Sequence, residues 1–124
     1  MPQHIQIEPK DEYLHVEVSG AFDSVNAKEF IRQIFDACRQ HDLSKIFVDI
    51  RKVEGPISTM ARFELAGFFA AEHATSVRMV VLESREQVPD DRFFETVAGN
   101  RGASVKVVRD IEEAWECLEL KKGE

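Results

Sequence analysis

The sequence has few of the features that would tie a protein to a disulfide, a membrane or a secretory route. Its 124 residues include only two cysteines, Cys38 and Cys117, and neither belongs to a C-x-x-C pair. No stretch reaches the roughly 18 consecutive apolar residues of a membrane span, and the N-terminus lacks the basic start and apolar core of a signal peptide. We therefore expect two reduced thiols in a cytoplasmic protein that does not insert into membranes.

An excess of basic residues is also missing. The 16 Lys and Arg residues are outnumbered by 23 Asp and Glu residues, which gives a formal net charge of −7. An acidic chain is repelled by nucleic-acid phosphates and by anionic lipid surfaces. We therefore expect no nucleic-acid partner.

Catalytic and metal-binding patterns are missing as well. The four histidines lie in different predicted elements, and no pair has the spacing of metal ligands. No serine lies in a G-x-S-x-G context, and there is no glycine-rich phosphate loop. Asp49 is a candidate acid at a strand end, but acid–base catalysis needs a second group within reach, which the sequence does not nominate. We predict a non-enzymatic protein with no catalytic residue, no metal and no cofactor.

What is present is the composition of one globular domain. Hydrophobic residues make up 44% of the chain and charged residues 31%, with both signs interspersed. A chain of this length buries one core but not two independent ones. We predict a single domain spanning residues 1–124.

Short apolar segments predict five strands. Alternating apolar residues mark His4–Glu8 and Tyr13–Ser19, and a hairpin turn is expected between them. Continuous apolar runs mark three further strands: Lys45–Ile50, Val77–Leu82 and Val105–Val108. Lys45–Ile50 is expected to be central, and residues 51–56 are predicted to form its exit loop.

Apolar residues at helical spacing predict four helices. The first runs from about Asn26 to His41, capped by Asn26 or, for an earlier start, by Asp23 or Ser24. The second begins near Ser58 and reaches roughly to Ala74. Its broad apolar stripe is either core or, around Phe63, a partner or dimer surface, so we expect a homo-oligomer. The other two helices are entered through Pro89–Asp91 and Asp110–Glu113.

The predicted order is β-β-α-β-α-β-α-β-α. The later strands are separated by helices, so they should be parallel and joined by right-handed crossovers, whereas the hairpin strands are antiparallel. The expected fold class is therefore α/β with a mixed central sheet.

Two stretches of the sequence, residues 20–27 (GAFDSVNA) and residues 46–50 (IFVDI), resemble parts of the STAS fold, which is shared by anti-sigma-factor antagonists and the cytosolic domains of sulfate-type anion transporters. Residues 20–27, GAFDSVNA, are similar to the Gly-x-Leu-Asp-x-x-Asn-Ala turn that precedes the first helix of such domains. Residues 46–50, IFVDI, are similar to their third strand. The resemblance implies a STAS-like sandwich with helices packed mainly on one side of the sheet, of a divergent kind loosely related to the lipid-binding Sec14 class.

The same resemblance bears on the exit loop of the third strand. In the antagonists this loop ends in Asp-Ser-Ser-Gly or a similar sequence, and a partner kinase phosphorylates a serine there. Residues 57–60, ISTM, occupy the matching place, so the hydroxyl pair is kept while the acid and the glycine are not. Ser58 and Thr59 are thus the candidate phosphorylation sites.

A candidate binding surface follows from the strand ends, because open α/β sheets bind ligands beyond the carboxyl ends of parallel strands. The N-terminus of the second helix would add unpaired N–H groups suited to an anion. Alternatively, Ser58 only caps that helix and the arginines are solvated. The candidate ligand- or partner-binding residues are Asp49, Arg51, Lys52, Ser58, Thr59, Arg85 and Arg109.

Two hypotheses of different classes therefore stand. The first is a regulatory protein-interaction module that contacts a protein partner through residues 51–59 and the start of the helix that follows them. The second is a carrier or sensor for a small apolar or anionic, lipid-like ligand, suggested by the phenylalanines of the middle helices.

Overall fold

A computed structural model describes residues 3–55, 58–71, 77–83 and 104–118. Three helices lie within these ranges: α1 (Ser24–His41), α2 (Thr59–Ala71) and α3 (Ile111–Leu118). The strands in the same ranges are β1 (His4–Pro9), β2 (Leu14–Ala21), β3 (Lys45–Glu54), β4 (Arg78–Leu82) and β5 (Ser104–Val108). Three predictions concern parts of the chain outside the described residues. They are the helix expected to start at Pro89–Asp91, the candidate binding residue Arg85, and the roles of the Thr59 and Phe63 side chains.

The five strands form one mixed sheet in the order β1-β2-β3-β4-β5. β1 pairs antiparallel with β2, while β2, β3, β4 and β5 are all parallel. The predicted hairpin and the predicted parallel strands are therefore confirmed. β3 is central, as its continuous apolar run indicates.

Both faces of the sheet are covered by helices. Leu14, Ile46 and Met79 point to the face on which α1 and α2 pack, and Phe35 of α1 lies 5.1 Å from Phe69 of α2 between ring centroids. Phe47, Val80, Leu82 and Val108 point to the opposite face, where α3 packs through Ala114, Trp115 and Leu118. Two of the three described helices thus share one face, which we call the α1/α2 face; the other is the α3 face.

The helix ends show why the chain folds locally as it does. The Asp23 carboxylate accepts hydrogen bonds from the backbone N–H groups of Val25 (2.9 Å) and Asn26 (3.1 Å), so Asp23 is the N-cap of α1. α1 ends at Asp42, which adopts a left-handed conformation with φ 54°. Asp110 caps α3 in the same way, accepting from the Glu113 N–H at 2.8 Å.

β3 extends four residues beyond its predicted end, so the prediction that residues 51–54 form a loop is wrong. Glu17 pairs with Asp49 and Ser19 pairs with Lys52, which leaves β3 one extra residue between the two pairs. This is a β-bulge, and it reverses the side-chain alternation along the strand. Val53 consequently joins the core on the α1/α2 face, although it would otherwise point to the opposite side.

Candidate functional site

Four charged side chains gather on the α3 face near the carboxyl ends of β2 and β3. They are Glu17, Asp49, Arg51 and Lys52, called here the charge cluster. Glu17 and Asp49 are register partners on adjacent strands, so their side chains leave the same face. Arg51, two residues after Asp49, leaves the same face, and the bulge brings Lys52 to that face as well.

Asp49 and Arg51 form the inner half of the charge cluster. The Arg51 guanidinium donates two hydrogen bonds to the carboxylate, Nε to Oδ1 at 3.0 Å and Nη2 to Oδ2 at 2.7 Å. The Arg51 backbone N–H donates a third to Oδ1 at 3.0 Å. Asp49 is only 8% exposed, so the carboxylate of this bidentate pair is largely shielded from water.

These contacts set the pKa of Asp49. Burial by itself raises the pKa of a carboxyl group, because it disfavours the charged form. The hydrogen bonds from the Arg51 side chain and backbone outweigh burial, so the pKa of Asp49 lies below its ordinary value. Asp49 is therefore a structural anion at neutral pH and is not suited to act as a general acid.

Lys52 and Glu17 form the outer half of the charge cluster. The Lys52 Nζ lies 2.7 Å from Glu17 Oε1, and the lysine side chain is 70% exposed. A pair so open to solvent contributes little stability. Because each cation of the cluster has an acid beside it, the four side chains together carry no net formal charge, which favours polar protein contacts over capture of an isolated anion.

Next to the charge cluster lies an aromatic cluster, formed by Tyr13, His15, Phe47 and Trp115. The Trp115 ring lies 4.8 Å from Phe47 and 5.5 Å from Tyr13 between centroids, and His15 lies 5.1 Å from Phe47. Such separations suit tilted aromatic packing. The cluster joins α3 to β2 and β3, and His15 is its half-buried member beside the charges.

The pKa of His15 is lowered, chiefly by burial and then by Lys10, against the opposing effect of Glu8, Asp49 and Glu17. A histidine whose folded-state pKa is depressed binds protons more readily in the unfolded chain, so its protonation destabilises the fold as the pH falls below about 6.5. We predict that His15→Gln loses less stability than the wild type between pH 7 and pH 5.

Urea denaturation at these two pH values measures that difference. His41→Gln, at an exposed position at the end of α1, is the matched control for the substitution itself. An identical pH dependence in the wild type and His15→Gln would contradict the prediction.

A second surface lies at the N-terminal ends of α1 and α2. Ser58 is exposed, and its Oγ accepts a hydrogen bond from the Ala61 N–H at 3.1 Å, so it caps α2. Two large apolar side chains are exposed in the first turns of the two helices, Val25 at 75% and Met60 at 66%. We call Val25, Ser58 and Met60 the helix-end surface.

The two helices hold this surface together. Both return from the carboxyl end of a strand along the same face of the sheet, so they run in the same direction. Lys28 of α1 lies 3.6 Å from Glu64 of α2, about one turn beyond Val25 and Met60. The two exposed apolar side chains therefore occupy the same end of neighbouring helices.

The predicted site residues are thus divided between two places. Asp49, Arg51 and Lys52 come together in the charge cluster, whereas Ser58 and the backbone of Thr59 belong to the start of α2 on the other face. Arg109 follows β5 and is half-buried. Sequence reasoning missed Glu17 and the aromatic cluster, although Tyr13, His15 and Glu17 alternate along one face of β2.

The thiols do not suggest a reactive site. Burial raises the pKa of Cys38 to about 11, so its thiolate is scarce at neutral pH. Neither cysteine forms a disulfide, and in the described part of the chain no three His, Cys, Asp or Glu residues are grouped so that they could hold a metal. Within the same residues, none of the helices is long and apolar enough to cross a membrane.

No family model matches the chain, and no curated protein is significantly similar to it in sequence. Among solved structures it is similar to an anti-sigma factor antagonist from Mycobacterium paratuberculosis, with a TM-score of 0.59, 17% identity and coverage of 95% of each chain. It is also similar to an uncharacterised protein with a SpoIIAA-like fold from Shewanella loihica, with a TM-score of 0.56 and 14% identity over 94% of this chain and 93% of that one. The chain therefore has the predicted STAS-like fold.

Proposed function

We propose that this protein is a non-enzymatic regulatory module that binds a protein partner through the helix-end surface. The observation that carries the proposal is that Val25 and Met60 are both exposed, each in the first turn of one of two neighbouring helices that run in the same direction. The N-cap residue Ser58, two residues before Met60, is exposed as well. Apolar side chains exposed together and rimmed by polar groups mark protein contacts. The similarity to a protein named as an anti-sigma factor antagonist supports a partner that is itself a protein.

The position of Ser58 supports a switch at this surface. A phosphate on an N-cap serine would lie at the positive end of the α2 dipole, where it is tolerated by the fold. The same phosphate would place about two negative charges beside Met60, in the middle of an apolar contact. Phosphorylation of Ser58 would thus leave the domain folded and disrupt the complex; Thr59, the first residue of α2, is the second candidate acceptor.

A photo-crosslinking amino acid at position 60 tests the proposed surface directly. Introduced in living cells of the native host, it should capture one protein reproducibly. The same amino acid at position 111, where Ile111 is exposed on the α3 face, is the control and should not capture that protein. Capture of only a second copy of this chain would contradict a regulatory partner and assign the surface to a homo-oligomer.

Charge at position 58 is tested with a matched pair of substitutions. Ser58→Asn keeps a good N-cap without charge, while Ser58→Asp keeps the cap and adds one negative charge. We expect Ser58→Asp to reduce capture at position 60 at least tenfold and Ser58→Asn to leave it within about twofold of the wild type. Equal capture by the two variants would exclude a charge-operated switch, whatever the partner.

A further inference from the structure

A pocket of about 120 Å³ lies beneath α1 and α2, on the α1/α2 face of the sheet. Val18, Val48 and Val81 line it from β2, β3 and β4, and Ala27, Ile31 and Leu65 line it from the two helices. It is thus near the carboxyl ends of the parallel strands, where open α/β sheets bind their ligands. The small side chain of Ala27 leaves part of the space open under α1.

The pocket is apolar apart from two residues among those described, Gln3 and Glu83. The Gln3 Oε1 already accepts a hydrogen bond from the Asp23 backbone N–H at 2.8 Å. Glu83 is 1% exposed and is the charged residue of the lining. The described lining includes no Lys, Arg or His, so an anionic ligand would meet no positive side chain there.

The size of the pocket limits the ligand. An apolar cavity of about 150 Å³ in another protein stays dry and binds benzene, because water gains too few hydrogen bonds in it. The present pocket is slightly smaller, but Phe22 and Ile50 at its lining are only half-buried, so the space opens toward solvent. A single ring fits this volume, with a substituent directed outward.

We propose that this pocket binds a small apolar molecule about the size of one aromatic ring, neutral or cationic but not anionic. This goes beyond the interaction function proposed above, because the pocket lies under the helices and the helix-end surface lies on their outer ends. The two proposals fail independently: a protein partner can be captured at position 60 whether or not the pocket binds a ligand.

Three probes that share one ring and differ in charge test the ligand class at pH 7: benzyl alcohol, benzylamine and benzoate. Titration followed by methyl NMR should give saturable shifts for the methyl groups of Ala27, Ile31 and Val48 with the alcohol and the amine. Benzoate should bind at least tenfold more weakly. Failure of all three probes to give saturable shifts overturns the proposal, and equal binding of benzoate overturns its charge selectivity.

Two substitutions in α1 provide a matched test of the site. Ala27→Leu fills the pocket and should weaken benzyl alcohol binding at least tenfold, whereas Ala37→Leu, at a half-buried position of the same helix outside the lining, should leave it within about twofold. Ile31→Phe adds bulk to the same lining and replaces Ala27→Leu if that variant is unfolded by circular dichroism. Unchanged binding in a folded pocket-filling variant overturns the proposed location.

Discussion

Replacing Trp115 by alanine is expected to lower the free energy of unfolding by about 3 to 5 kcal/mol. Trp115 is 7% exposed, and its ring contacts both Tyr13 and Phe47 in the aromatic cluster. The described part of α3 has eight residues, and short helices are held by tertiary packing more than by their own hydrogen bonds. Loss of the indole therefore removes the largest of the three buried side chains by which α3 packs on the sheet.

Urea denaturation followed by far-UV circular dichroism measures this loss, because Trp115 is the single tryptophan of the chain and fluorescence is lost with it. Ile111→Ala in the same helix is the control. Ile111 is 39% exposed, so its truncation should cost less than about 1 kcal/mol. A loss below about 1 kcal/mol for Trp115→Ala as well would show that α3 contributes little to the fold.

The parts of the fold that could be predicted are those encoded within a few neighbouring residues. Alternation of apolar residues located β1 and β2, and a carboxylate before an apolar helical pattern located the start of α3 at Asp110. For α1 the sequence predicts a start at about Asn26 and leaves Asp23 or Ser24 as the cap of an earlier start, because each has a side chain able to cap. The structure selects Asp23, whose oxygen reaches two backbone N–H groups.

The bulge in β3 could not be predicted, because it depends on the register between β2 and β3. The residues that follow Asp49 include Arg51, Lys52 and Glu54, which are exposed and look like a loop in the sequence. The backbone of residues 52–54 nevertheless pairs with β2, from Ser19 to Ala21. Strand pairing of this kind is set by residues far apart in the chain, which a local pattern does not record.

The same non-local pairing decides the chemistry of the predicted site. Arg51 and Lys52 were expected to be available to an anion at the strand ends. Lys52 is instead brought by the bulge to Glu17, 35 residues earlier in the chain, and Arg51 is held by the Asp49 carboxylate. Neither arrangement follows from residue type alone, whereas the capping position of Ser58 was among the alternatives that local sequence allowed.

Substitution of Asp49 by asparagine is expected to lower the free energy of unfolding by about 1.5 to 3 kcal/mol, the range for hydrogen bonds to charged groups. Asp49 accepts three hydrogen bonds from Arg51 in a position that is almost fully buried. Glu17→Gln is the matched control in the same charge cluster. Its pair with Lys52 is open to solvent, so we expect a loss below about 1 kcal/mol.

The dependence on pH distinguishes loss of the Asp49 charge from a packing defect. The pKa of Asp49 is lowered in the folded protein, so its contribution is present above the ordinary value of 3.8 and is lost as the pH falls through the folded-state pKa. The difference in stability between the wild type and Asp49→Asn should therefore be constant from pH 7 to about pH 5 and shrink below about pH 4.

In a double-mutant cycle with Arg51→Gln, the two substitutions should be non-additive by about 1 kcal/mol or more. Additive losses together with a difference that does not change with pH would mean that the Asp49–Arg51 pair does not stabilise the end of β3.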